Sequence, residues 1–279
     1  MKKILLASTA LVATTGFAAA EMSWTGSANM GMKYSDNGST TLHNEIDLGM
    51  SATGETDGGI GWKVEMGLDS NVSDSTTGGG ADVGSVSISG DFGTIRMGAV
   101  DNAATKVGLA DVGYDLIGLD DAAELGRGGG TEDPDLQWDY SADSIALRVS
   151  VDSKTDDMAA AVSWTSGSLA ITVAHAAEGA TSGTDATSAS ISTSVGGFSV
   201  GMMATAASTA NQDSTGLSAS MPVDGLGTVT FVTSANDTDA KNSYGVGFSK
   251  SLGGGATLKG GYGSVNGNDV GDIGIALSF

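Results

Sequence analysis

Cysteine is absent from the 279 residues, which excludes disulfide staples and thiolate metal sites. Positive charge is scarce: 12 Lys and Arg stand against 33 Asp and Glu, for a formal charge of −21. Such a balance excludes nucleic acid as a partner. Proline occurs only as Pro134 and Pro222, and aromatics make up 5%. Few aromatics beside excess acid is one mark of disorder, but a mean hydropathy of +0.05 at this charge means that apolar residues are abundant and dispersed. Long apolar runs are missing too. Beyond the N-terminus no segment reaches transmembrane-helix length, so a closed barrel is the only way this chain could span a membrane.

The N-terminus carries Lys2 and Lys3, an apolar run from Ile4 to Phe17 and then Ala18-Ala19-Ala20. The charged start, the run too short to span a bilayer and the small residues at its end predict a secretory signal peptide over 1–20, cleaved after Ala20. Removal takes two cations and no acids, so the exported chain, 21–279, is more acidic still.

From Met22 to Tyr34, apolar or larger residues fall on even numbers and polar ones on odd. The same period of two recurs in Ile60–Leu68, Ile145–Val151, Tyr244–Phe248 and Ile273–Phe279, each reading as a strand with one apolar and one polar face. Connections alternate between tight turns (Thr53–Gly59, Gly90–Gly93, Ser141–Ser144, Ser166–Ser168, Gly196-Gly197, Val223–Gly227, Leu252–Gly255) and longer polar loops (Ser35–Thr40, Ser70–Gly80, Val100–Asp135, Asp152–Asp156, Ala177–Thr184, Ala207–Asp213, Ala235–Asp239, Val265–Asn268). Seven turns interleaved with eight loops give sixteen strands. An even number, short turns on one side and longer loops on the other are the marks of an outer-membrane barrel, with both termini on the short-turn, periplasmic side, where Glu21 and the carboxylate of Phe279 can meet. A soluble β-sandwich shares the alternation, but its core would ask for large side chains on the face that here carries Ser, Thr, Gly and charges. Trp24, Tyr34, Phe92, Trp138, Trp164, Phe198, Phe231, Tyr262 and Phe279 are placed near strand ends, as in an interfacial girdle.

Several stretches taken in order resemble the general diffusion porins of purple-bacterial, alphaproteobacterial type. They are the opening Glu21–Met32, Gly90–Gly98, Val112-Gly113-Tyr114, Leu252–Ala256 and the terminal strand ending in Phe279. The resemblance covers the whole chain after residue 20. It implies an all-β, 16-stranded antiparallel transmembrane β-barrel with an inward-folded third loop, assembled as a homotrimer. It also implies contacts between subunits through the first strands and Ser70–Gly80, an outer-membrane setting among lipids and lipopolysaccharide, and a terminal aromatic like the signal read by the barrel-assembly machinery.

Val100–Asp135 far exceeds ordinary loop length, so it is either functional or disordered; a short helix in Asn102–Ala110 and the apolar Leu109, Val112, Tyr114, Leu116, Ile117 and Leu119 favour a packed, pore-constricting loop. It carries Asp101, Asp111, Asp115, Asp120, Asp121, Glu124, Glu132, Asp133 and Asp135 against Lys106 and Arg127. Alternation puts Lys33, His43, Lys63, Arg96, Arg148 and Lys259 on the polar face, with Lys241 near a strand mouth, and puts Lys250 on the lipid face, where it must snorkel. A cationic wall facing an acidic loop predicts a transverse field, and the low cation count predicts weak cation preference. Asp120, Asp121 and Glu124 could also offer oxygens to Ca²⁺, although no spacing matches an EF-hand and no cofactor is required. Gly197-Phe-Ser-Val-Gly201 matches a nucleophile elbow, with His43 and His175 as the only histidines. It enters a strand where an elbow needs a helix, so the chain is read as no enzyme. The expected function is passive diffusion of small hydrophilic solutes and ions through a water-filled pore; the alternative is a plugged structural or adhesive barrel.

Overall fold

The computed structural model describes residues 20–36, 38, 40–73, 76–81, 84–114, 118–127, 134–178, 184–209 and 212–279. Residues 1–19 of the expected signal peptide, and Asp115, Leu116, Ile117, Glu132 and Asp133 of the long loop, lie outside them.

Strands β1 (Glu21–Ser35), β2 (Thr41–Glu55) and β3 (Gly61–Ser73) are followed by two short ones, β4 (Thr76–Ala81) and β5 (Ser85–Gly90). After β6 (Gly93–Gly98) come the long loop, then β7 (Leu136–Ala142), β8 (Ile145–Asp152), β9 (Asp157–Ser166), β10 (Leu169–Ala177), β11 (Ala186–Val195) and β12 (Phe198–Ala207). The last five are β13 (Ser214–Val223), β14 (Gly227–Asn236), β15 (Ser243–Gly253), β16 (Ala256–Val265) and β17 (Asn268–Ser278). Every pairing is antiparallel between neighbours, and β1 pairs with both β2 and β17, so the sheet closes. β4 and β5 pair with successive stretches of β3, with a register slip of one residue between them. Together they make one interrupted strand, and the barrel has sixteen. Closure leaves no edge, the condition for putting backbone N–H and C=O groups into hydrocarbon, where each unmet group costs several kcal/mol.

Three details differ from expectation. Ser70–Gly80 is no open loop: Ser70–Ser73 pair with Thr76–Gly79 and carry the hairpin onward, because Asn71 and Val72 continue the alternation of β3. Val265–Asn268 shrinks to an Asn266-Gly267 turn with φ of 47° and 83°, the chemistry of a two-residue hairpin, so one connection on the loop side is as tight as those opposite. At the seam, Gly26 and Phe279 exchange backbone hydrogen bonds of 2.8 and 2.9 Å; the terminal residue lies opposite Gly26, and Glu21 runs on past it beside β2.

Large apolar side chains cover the outside, from Leu42 at 73% exposure through Val64, Met66 and Leu68 to Val195 at 74%. This inverts a soluble sandwich and fits a lipid-facing band. Trp24, Phe92, Phe198 and Phe279 lie at or beside strand ends, whereas Phe231 stands in the middle of β14: alternation assigns a face but not a depth. The apolar clusters are small and lie between the long loop and the strands. Ala103, Ala104, Val107 and Ala123 meet Ala159, Ala161, Ala174, Ala176 and Met203, and Val112 and Leu119 meet Val232 and Val270.

Candidate functional site: the polar wall and its loop

The parity that exposes Met30, Met32 and Tyr34 to the outside places Gly31 and Lys33 on the opposite face. By the same rule His43, Glu45 and Asp47 on β2, Lys63, Glu65 and Asp69 on β3, Arg96 on β6, Gln137 and Asp139 on β7, and Arg148 on β8 share that polar face. All six expected wall cations lie on it, Lys259 on β16 included. The wall acids were the residues missed, although the alternation that selected Lys63 selects Glu65 equally well.

These acids change the electrostatics, because they sit on the cations. Lys63 Nζ lies 2.5 Å from Glu65 and Arg96 Nη2 3.9 Å from the same carboxylate. Arg148 holds Asp139 at 2.7 Å through Nε and reaches Asp101 of the loop at 3.4 Å. His43 stands 3.6 Å from Glu45, and Lys33 faces Asp272 across the seam. The wall on β1–β8 is thus a mixed-charge surface, where a basic one was expected. Lys250 reaches the carbonyl of Gly225 in a short turn at 2.6 Å, as snorkelling requires. Lys241 lies in the turn between β14 and β15, its N–H donated to Asn266, and is no wall residue.

Strands β9–β17 present a different polar face: Ala159, Ala161, Ala174, Ala176, Ser188, Ser214, Gly216, Ser218, Gly245, Gly247 and Gly263. The loop packs here. Its first turn is a 3-10 helix over Ala103–Lys106, capped by Asn102, whose side chain accepts the N–H of Ala104; Ser150 Oγ accepts the N–H of Ala103 at 2.8 Å. The helix expected over 102–110 stops there because Val107 is buried in an extended conformation and Glu124 Oε1, rather than a helix carbonyl, accepts the N–H of Leu109 at 3.1 Å. Further on, a Cβ on Gly216 would lie 2.4 Å from Leu109, and one on Gly245 2.4 Å from Leu119. These positions are bare because the loop occupies the space. Serine hydroxyls meet the backbone carbonyls it brings: Ser214 donates to Ala123 at 2.6 Å and Ser234 to Leu119 at 2.8 Å.

The one-turn helix α1 (Asp121–Glu124) carries the acidic cluster. Asp120 is buried, and burial, reinforced by Asp121, Asp111 and Glu124, pushes its carboxyl up to about 7. Burial raises Glu124 as well, against the pull of Arg127, which is ion-paired with it. Asp101, Asp111 and Asp121 stay exposed. Asp120, Asp121 and Glu124 bring carboxylate oxygens within 4.8 Å of one another, as do Glu45, Asp47 and Asp69. Calcium takes six to eight oxygens; in the acidic cluster of α1, Glu124 already accepts from Leu109 and is ion-paired with Arg127. Two open cavities flank the loop on the short-turn side. One of about 530 Å³ is lined by Asp91, Lys106, Asp139, Arg148 and Ser163, and one of about 340 Å³ by Leu109, Ser190, Ser192, Ser199 and Ser218.

A family model described as Gram-negative porin matches residues 7–270. The chain belongs to the Gram-negative porins. Among solved structures, two variants of the porin of Rhodopseudomonas blastica superpose with a TM-score of 0.81 at 19% identity, covering 93% of this chain and 100% of theirs. A structure titled for the asymmetric conductivity of engineered proteins matches at 20% identity with the same score and coverage. At such identity the likeness is one of fold. No curated protein matches. The resemblance read from the sequence stands, and family and fold support a channel role for this porin in the outer membrane.

Proposed function

We propose that the porin is a water-filled channel through which small hydrophilic solutes and ions diffuse passively, narrowed by residues 100–135. The observation that carries this is the division of the polar face: the loop packs mainly on the sparsely charged strands β9–β17 and leaves most of the charged face of β1–β8 uncovered, with open cavities beside it. Acids outnumber cations on the chain, and exposed Asp101, Asp111 and Asp121 have no matching surplus of cations on the wall. Cations are therefore the preferred ions, weakly because the wall pairs are largely neutralised. None of this calls for catalysis or a cofactor, and conductance responding to micromolar Ca²⁺ would overturn the cofactor-free reading.

The chain is read further as exported after cleavage near Ala20, folded by the assembly machinery through the strand ending in Phe279, and trimeric among lipids and lipopolysaccharide. Unheated gel mobility of a monomer would sink the trimer. Planar-bilayer recording tests the channel: stable, near-ohmic conductance is expected, and its absence from folded protein would favour a plugged barrel. Arg96→Glu is expected to raise cation preference.

A further inference from the structure

The motif Val112-Gly113-Tyr114 takes no part in the charge argument, yet Val112 and Tyr114 are buried against the wall. The loop's contacts trace an excursion across the wall: Ala103 meets β8, Leu109 meets β13, Val112 meets β15 and Tyr114 meets β17 and β1. The chain then returns, Leu119 against β15 and β16 and Ala123 against β13. Among the described residues, Tyr114 is the far point of this excursion, at the seam where the barrel closes.

Its seat is made of absent side chains. Gly31 and Gly274 are register partners across the seam; a Cβ on Gly31 would lie 3.0 Å from the Tyr114 ring and 2.7 Å from the Ile273 carbonyl oxygen, and one on Gly274 2.7 Å from both the ring and the Met30 carbonyl oxygen. The Tyr114 N–H donates to Asp272 Oδ2 at 3.0 Å, its hydroxyl reaches the Ile275 carbonyl at 3.4 Å, and its ring stands edge-on to His43 at 6.2 Å. Beside it Gly113 has a φ of +76°, and a Cβ there would lie 2.5 Å from Asp272 Oδ1. The space over Gly247 is filled by Gly113 N, 2.5 Å from where its Cβ would be, and by Val112 Cγ1 at 2.8 Å.

We propose that Val112-Gly113-Tyr114 is a latch that fixes the bore of the channel, with Tyr114 as a positioning residue and Gly31 and Gly274 as its receptacle. The proposal rests on the reading that residues 100–135 narrow the pore. Pinned at the seam, this stretch of the excursion cannot swing across the opening; released, it keeps only the flanking contacts of Leu109 and Leu119.

Single-channel recording of the folded protein tests it. Tyr114→Ala and Gly274→Ala are each expected to raise the frequency of excursions from the main conductance level by on the order of tenfold or more, as loss of a buried ring or its socket implies, and to alter the largest neutral solute admitted. Tyr114→Phe, which keeps the ring, should behave as the unaltered protein. Heat-modifiable gel mobility verifies that each variant is a folded barrel; where Tyr114→Ala does not fold, Gly274→Ala and Tyr114→Leu carry the same test. Folded variants with unaltered noise and exclusion limit overturn the latch. The underlying reading fails separately: Lys106→Glu must shift ion selectivity if the loop borders the channel. A shift with silent latch variants overturns the latch alone.

Discussion

The two halves of the polar face solve opposite problems. On β1–β8 it carries Lys33, Lys63, Arg96 and Arg148 with Glu45, Glu65 and Asp139 beside them, side chains that need water or partners. On β9–β17 it carries mostly alanine, glycine, serine and threonine, which leave room for the loop and offer hydroxyls to its carbonyls. Room for the loop thus comes from where bulk and charge are withheld, as much as from where they are placed. The largest effect is expected from adding bulk to the small-residue half. Gly216→Leu drives a side chain into the space of Leu109 and Ala123 and should cost about 1–3 kcal/mol of loop docking, the usual penalty of overpacking. The expected result is faster proteolysis within 100–135 while the barrel keeps its heat-modifiable mobility; an unchanged nicking rate would contradict the packing.

On the charged half the largest effect belongs to Arg148, which holds Asp139 and reaches Asp101. Arg148→Ala leaves both carboxylates uncompensated beside the 530 Å³ cavity, and cation preference should rise roughly twofold by reversal potential in a salt gradient. The double variant with Asp139→Asn should restore most of the original selectivity. A single variant with no shift would mean that ions do not pass this part of the wall.

Asp120 joins the two halves to pH. Docked, it titrates near 7, against an ordinary value of 3.8 for a solvated loop. A raised folded value means that its contribution to docking is fully present below 3.8 and is lost as pH rises through about 7. Asp135, held low by hydrogen bonds from Ser153, acts in the other direction, only as acid reaches the carboxylate range. Nicking of 100–135 should therefore be slower at pH 5 than at pH 8, and Asp120→Asn should flatten that dependence.

Much of this was legible because a strand has a period of two and glycine pairs mark tight turns. Gly196 and Gly197, with φ of 60° and 83°, make a hairpin that the sequence announces, and the parity of Lys63 gives its face without a structure. The same parity places Glu65 beside it, so the acids of the wall are as legible as its cations. The bare track was not legible. Gly31, Gly245 and Gly274 look like any glycine in a strand until the loop is laid on them, since that contact joins residues about 80 to 160 positions apart and no local pattern encodes it. The burial of Asp120 was hidden for the same reason.

Lys259 supplies the smallest and most exacting test, because it is a cation on the small-residue half. It lies on the polar face of β16, with Gly274 and Ser249 as its cross-strand neighbours, and among the described residues no carboxylate pairs with it. A cation without an ion-pair partner should act on passing ions through its own charge, yet the loop packs on the wall around it. If the division of the wall governs permeation, Lys259→Ala changes reversal potential less than Arg148→Ala does, although Arg148 is paired and Lys259 is not. The reverse order would mean that ions travel along the glycine-rich strands, and the loop's position against them would have to be abandoned.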